Sequence, residues 1–119
     1  MATPVKARPR LTPRRQAALA ALAVRWVSTR AGSTVREVAE VVNADVRGVT
    51  ISEPHCNSCL YGLKRLGFAA KGRGRNASWT ATRAGVAEAR RVTGTGGALT
   101  LTAAARERLY TPPPAERSQ

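Results

Sequence analysis

The chain has 119 residues, 43% of them apolar, enough for one core of mainly Ala, Val and Leu, because it holds only two Trp, two Tyr and one Phe. Twenty Lys and Arg stand against seven Asp and Glu, a formal charge of +13, and such a chain attracts polyanions by default. No stretch approaches the roughly 18 apolar residues of a membrane span. The apolar run 17–24 ends at Arg25 with no signal-peptide cleavage pattern after it, so the expectation is a cytoplasmic, nucleoid-located protein with no membrane partner.

Residues 1–11 read as a flexible basic arm: Lys6, Arg8 and Arg10 come without one acid and with little to bury. Thr12 followed by Pro13 is a helix start, and Leu19, Leu22 and Trp26 at helical spacing predict a first helix over 13–30, with Trp26 in the core and Gly32 as the stop. Thr34 and Glu37 form a capping box for a second helix ending near Asn43. The turn 43–51 follows, with Val49–Ile51 expected to extend and pair with a later hairpin. Ser52, Glu53 and Pro54 open a third helix that runs to Leu66, where Gly67 stops it.

Two strand-like runs, 68–71 and 77–82, flank GRGRN, whose Gly and Asn tolerate the backbone angles of a hairpin turn. Thr82 caps a fourth helix over about 83–92, TGTGG (93–97) is a flexible break, and Thr102 caps a short last helix through Tyr110. Residues 111–119, with three successive prolines, read as a disordered tail. The order predicts an α+β, mostly helical fold: a three-helix core, a basic two-stranded hairpin and C-terminal helices.

The third helix carries the strongest functional signal. Cys56, Cys59, Leu63 and Leu66 fall on one apolar stripe, with Leu60 beside it. Asn57, Ser58, Tyr61, Lys64 and Arg65 fall on the opposite side. The major groove of B-DNA admits a helix, and Arg or Lys to guanine and Asn to adenine are its common readers. Asn57, Ser58, Tyr61 and Arg65 are therefore the candidate base-reading residues. Lys64, Lys71, Arg73, Arg75 and Arg83, with Arg8, Arg10 and Arg14 from the amino-terminal side, are the candidates for phosphates or a minor groove. An ordinary solvated helix face is the alternative for the same residues.

HCNSC, residues 55–59, invites a metal or redox reading, but structural zinc needs four ligands and both cysteines lie on the apolar stripe, where a free Cys acts as a small hydrophobe. Core packing is the expectation, with a sensor role left open. One His, one Asp and no phosphate-binding loop ending in Lys-Ser/Thr leave catalysis without a foundation, so neither an enzyme nor a cofactor is expected. Trp79 is expected to pack against the helices, with a stacking surface as its alternative.

TVREVAEVV (34–42), SEPHCNSCLYGLKRLGF (52–68) with its LxxLGF exit, and ASWTATRAG (77–85) with its TxxG helix start together resemble a bacterial winged helix-turn-helix domain of the broad MarR/PadR/ArsR-like kind, over residues 12–92. The resemblance implies a transcriptional regulator that binds double-stranded DNA, often as a homodimer. Residues 13–27 and 99–110 are the candidates for a dimer contact. An architectural DNA-binding protein, or a winged-helix module that docks on another protein, are the rival readings.

Overall fold

A computed structural model describes residues 11–73 and 78–110. Arg8, Arg10, Arg75 and the tail 111–119 lie outside the described residues. The fold is α+β and mostly helical: α1 (Pro13–Thr29), α2 (Val35–Asp45), α3 (Glu53–Arg65), β1 (Ala69–Lys71), β2 (Trp79–Ala81), α4 (Arg83–Thr93) and α5 (Ala103–Tyr110).

α1 is the central pillar. Residues 17–24 (AALAALAV) are apolar on every side and all eight are fully buried, as expected of a helix enclosed by its neighbours. α2, α3, α4 and α5 all pack on it, and its alanines let them approach closely. Residues 17–24 and Val27 of the 13–27 stretch are therefore consumed inside the chain, which leaves Pro13–Gln16, Arg25 and Trp26 as its part at the surface. Leu99, Leu101, Ala105 and Leu109 are likewise buried in the same core, so 93–110 is not a linker with an appended helix. Gly97 N–H bonds to the Gly94 carbonyl and Leu99 N–H to the Val92 carbonyl, which makes the glycine-rich break an ordered turn. Leu11, expected in the loose arm, is also buried.

The predicted caps form. Thr12 accepts from Arg15 N–H and Ser52 from His55 N–H, and Thr34 and Glu37 complete a reciprocal capping box. The α1 stop differs from expectation. Arg30, not Gly32, takes the left-handed turn, at φ 56°, and its N–H bonds to the Trp26 carbonyl. Its guanidinium lies 5.6 Å from the centre of the Trp26 ring, a cation–π contact that helps offset the roughly 1–2 kcal/mol cost of that conformation. Trp26 is only half-buried, not a core residue. Gly32 serves close approach instead: a Cβ there would strike the Ser78 side chain.

β1 and β2 pair antiparallel with Ala69 opposite Ala81, Ala70 opposite Thr80 and Lys71 opposite Trp79. The partner on the open edge of β2 is Ser33, which exchanges two backbone hydrogen bonds with Trp79 at 2.9 and 2.8 Å. The expected pairing by Val49–Ile51 does not occur. Asn43 has captured that segment: its amide Nδ2 donates to the Ile51 carbonyl at 2.9 Å, and its Oδ1 accepts from Ile51 N–H at 2.8 Å. A side chain at the end of α2 thus does for the approach to α3 what a strand would have done.

The far end of α2 is tied as firmly. Val46 bridges Leu101, Thr102 N–H bonds to the Asp45 carbonyl, and the Thr102 hydroxyl donates to Asp45 Oδ1 at 2.7 Å. Among the described residues no helix is long and apolar enough to cross a membrane.

Candidate nucleic-acid interface

α3 is held from beneath by its apolar stripe. Cys56, Leu60 and Leu63 are fully buried, Cys59 and Gly62 are buried, and Leu66 is half-buried. Gly62 sits under the Arg15 side chain of α1, whose guanidinium would lie about 3.0–3.2 Å from any Cβ there. The opposite face carries Asn57, Ser58, Lys64 and Arg65, all exposed. Asn57, Ser58 and Arg65 make no side-chain hydrogen bond or ion pair with any other described residue. The helix carries a single acid, Glu53, in its first turn.

Its exit is fixed by two motifs that prove to be one junction. Gly67 has φ +83° and Phe68 N–H bonds to the Leu63 carbonyl. The Thr82 hydroxyl donates to the Gly67 carbonyl at 2.6 Å and accepts from Gly85 N–H at 3.0 Å, capping α4 in the same stroke. Gly85 lets α4 rest on the chain: a Cβ there would overlap the Phe68 carbonyl. The LxxLGF and TxxG stretches therefore hold the end of α3, the hairpin and the start of α4 in one fixed relation.

Tyr61, expected among the base readers, is engaged within the fold. It is half-buried, and its ring meets the Trp79 indole edge-on, with centroids 5.1 Å apart and planes at 89°. The Lys71 ammonium donates to its hydroxyl and lies 5.0 Å from the ring centre, while the Lys64 ammonium lies 5.9 Å from that centre. The hydrogen bond from Lys71 pulls the phenol below its usual pKa, and the charges of Lys71 and Lys64 act in the same direction. Tyr61 is thus the hinge pin between α3 and the hairpin, and it gathers two ammonium groups at their junction. Trp79, 1% exposed, belongs to the core and offers no stacking surface.

The remaining cations divide between faces. Arg73 is exposed just past β1. Arg14 donates through Nε to the Thr50 carbonyl at 3.2 Å and borders, with His55, a cleft of about 410 Å³ at the leading end of α3. Arg83 keeps different company. It lines a groove of about 370 Å³ between α1 and α4, with Trp26, Arg30 and Arg90. The structure thus gathers Asn57, Ser58, Lys64, Arg65 and Lys71 on α3 and the adjoining strand, sets Arg14 at the leading end, and places Arg83 at the groove between α1 and α4.

Burial drives the Cys56 thiol up to about 12, with Cys59 and Glu53 adding to the rise. Burial also raises Cys59, against an opposing pull from Arg15 and Arg14. Both shifts favour the neutral thiol, and both side chains are buried in the core. Among the described residues no group of three or more His, Cys, Asp or Glu side chains is placed to hold a metal ion.

Sequence reasoning missed Asn43, which sets the approach to α3, because nothing near it in sequence marks its partner. It also missed Arg30 and Arg90, whose groove exists only once α4 lies on α1. No protein-family model matches the chain, and no match is found among curated proteins or solved structures.

Proposed function

We propose that the protein is a sequence-preferring double-stranded DNA-binding protein of winged-helix type, acting as a transcriptional regulator. α3 enters the major groove, and the hairpin lies on the flanking backbone or minor groove. The observation that carries this reading is the exposed stripe of α3: Asn57, Ser58 and Arg65 have no protein partner among the described residues, on a helix whose other face is locked in the core. Side chains left unengaged on a rigid element, with both amide and guanidinium chemistry, match what base edges require. Lys64 and Lys71 at the α3–hairpin junction, with Arg73 beyond them, supply phosphate contacts on the flank.

The fold supports this reading in a second way. A helix meant to report base identity must not roll in its seat, and α3 is fixed at its entry by Asn43, along its length by Leu60 and Leu63, and at its exit by Thr82. The hairpin is held to it by Tyr61 and Trp79.

Equilibrium titration of the full chain with a fluorescent duplex over a salt series tests the partner. Log K falls by about 0.9 per phosphate contact for each log unit of salt, so the Lys71→Gln variant lowers the slope by about one. Binding that does not respond to salt, or a slope unchanged in Lys71→Gln and Lys64→Gln alike, would remove the hairpin junction from the interface.

A further inference from the structure

The cleft at the leading end of α3 is not used by the contacts at the exit of that helix. Thr12, Pro13 and Arg14 come to it from the start of α1, Gly48, Val49 and Thr50 from the turn before α3, and His55 from α3 itself, around a hollow of about 410 Å³. A neighbouring hollow shares Arg14, Thr50 and His55 and extends to Asn43, Ile51 and Ser52. An arginine and a histidine line these hollows, and no acid does. Glu53, in the first turn of α3, lines neither.

Arg14 is held in position by the backbone. Its Nε donates to the Thr50 carbonyl at 3.2 Å, which leaves both terminal amino groups without a hydrogen bond or ion pair among the described residues. The segment that holds it is itself fixed, because Asn43 bonds both the N–H and the carbonyl of Ile51, the next residue along. His55 is exposed. Its backbone N–H bonds to the Ser52 hydroxyl, and its imidazole has no partner among the described residues. A guanidinium presenting two terminal nitrogens in one cleft with an imidazole is a donor set for phosphate, which the arginine fork matches in bidentate fashion.

The length of α3 says which phosphate. Its 13 residues span about 20 Å, whereas the major groove of B-DNA is about 12 Å wide. A helix of that length lying across the groove meets a phosphate wall at each end. Lys64, Lys71 and Arg73 stand at the exit, and Arg14 and His55 at the leading end. We propose that the cleft grips a DNA backbone phosphate on the wall opposite the hairpin, with Arg14 as the principal ligand and His55 as the second donor, so that α3 is clamped at both ends. This inference rests on the DNA reading above.

The full chain is titrated with a fluorescent mixed-sequence duplex over a salt series, with thermal melting of each variant as the folding control. Arg14→Gln is expected to lower the slope of log K against log salt by about one. It also weakens binding by about tenfold near physiological salt, the loss of one charge-assisted contact. Arg14→Lys keeps the charge without the fork, so it restores the slope and only part of the affinity. His55→Ala weakens binding by a smaller factor. Arg14→Gln combined with Lys71→Gln lowers the slope by about two, because the two contacts lie at opposite ends of α3.

A slope that falls in Lys71→Gln but not in Arg14→Gln overturns the cleft and leaves the DNA reading standing. No binding of duplex by the native chain overturns both. Inorganic phosphate, titrated alone and followed by the His55 imidazole resonances, separates a free anion from the DNA backbone. Saturation at millimolar phosphate, with duplex affinity intact in Arg14→Gln, would make the cleft a small-anion site and equally overturn the proposal.

Discussion

Tyr61 and Trp79 join the third helix to the hairpin: the two rings meet edge-on at 5.1 Å, and Lys71, directly across the strand pair from Trp79, donates to the Tyr61 hydroxyl. The contact makes a spectroscopic prediction. Because Lys71 holds the phenol below its ordinary pKa, the Lys71→Met variant titrates Tyr61 at higher pH, read by phenolate absorbance against a Tyr61→Phe control. An unchanged titration would mean that the ammonium does not sit on the hydroxyl. Truncating the other partner acts on the fold. Trp79→Ala removes a fully enclosed indole, and urea unfolding is expected to report a loss of about 3–5 kcal/mol.

Asn43 does for the turn before α3 what no backbone group does. Replacing it with Ala leaves the N–H and carbonyl of buried Ile51 without their partners. The expected loss is about 1–3 kcal/mol in chemical denaturation, with a matching loss of duplex affinity because the entry of α3 is released. Asn43→Asp keeps the acceptor and loses the donor, so it falls between the two. A loss below a few tenths of a kcal/mol in Asn43→Ala would show that the turn holds itself.

Gly85 reverses the usual helix rule. In an exposed helix interior, Gly→Ala gains about 1 kcal/mol. Here the new Cβ meets the Phe68 carbonyl, a backbone atom that cannot swing away. Gly85→Ala is therefore expected to destabilise by about 1–3 kcal/mol, while an exposed substitution one residue earlier, Ala84→Gly, costs only the propensity term. Thermal melting of the two variants side by side decides it; a stabilised Gly85→Ala would mean that α4 does not rest on Phe68.

The cysteines predict a pH dependence with a definite sign. The folded Cys56 thiol titrates at about 12, against an ordinary value of 9.0. A raised folded pKa contributes stability that is fully present below the unfolded value and is lost as pH climbs through the folded one. Stability should therefore fall from about pH 9 upward, and Cys56→Ala should flatten that fall in alkaline urea titrations. At neutral pH a disulfide-exchange reagent should modify both thiols only as fast as the protein unfolds. Rapid labelling of the native protein would contradict the burial.

What the sequence disclosed and what it hid follow from contact range. The caps at Thr12, Thr34, Ser52 and Thr82 each involve residues within three positions, so their pattern is written locally. The two faces of α3 were legible for the same reason, since helical periodicity needs no partner. Pairings between distant segments were not: Ser33 with Trp79, Val46 with Leu101 and Asn43 with Ile51 are settled by how the helices pack on α1. Gly32 was a reasonable stop for α1 on propensity, but the ring of Trp26 gave Arg30 a reason to turn left-handed first. Tyr61 reads as a base contact because it falls on the polar side of α3, and only the position of the hairpin reveals its contacts with Trp79 and Lys71. Arg83 reads as part of the hairpin by adjacency in sequence, whereas α4 carries it to the groove beside Trp26.

The most direct test of the central claim is selection from a random double-stranded DNA library at about physiological salt, run in parallel with the native chain and the Asn57→Ala/Arg65→Ala variant. The account predicts an enriched motif for the native chain and, for the variant, residual binding in which one or two positions of that motif have become random. A native pool that stays random, or a variant that selects the same motif unchanged, would contradict base reading by α3.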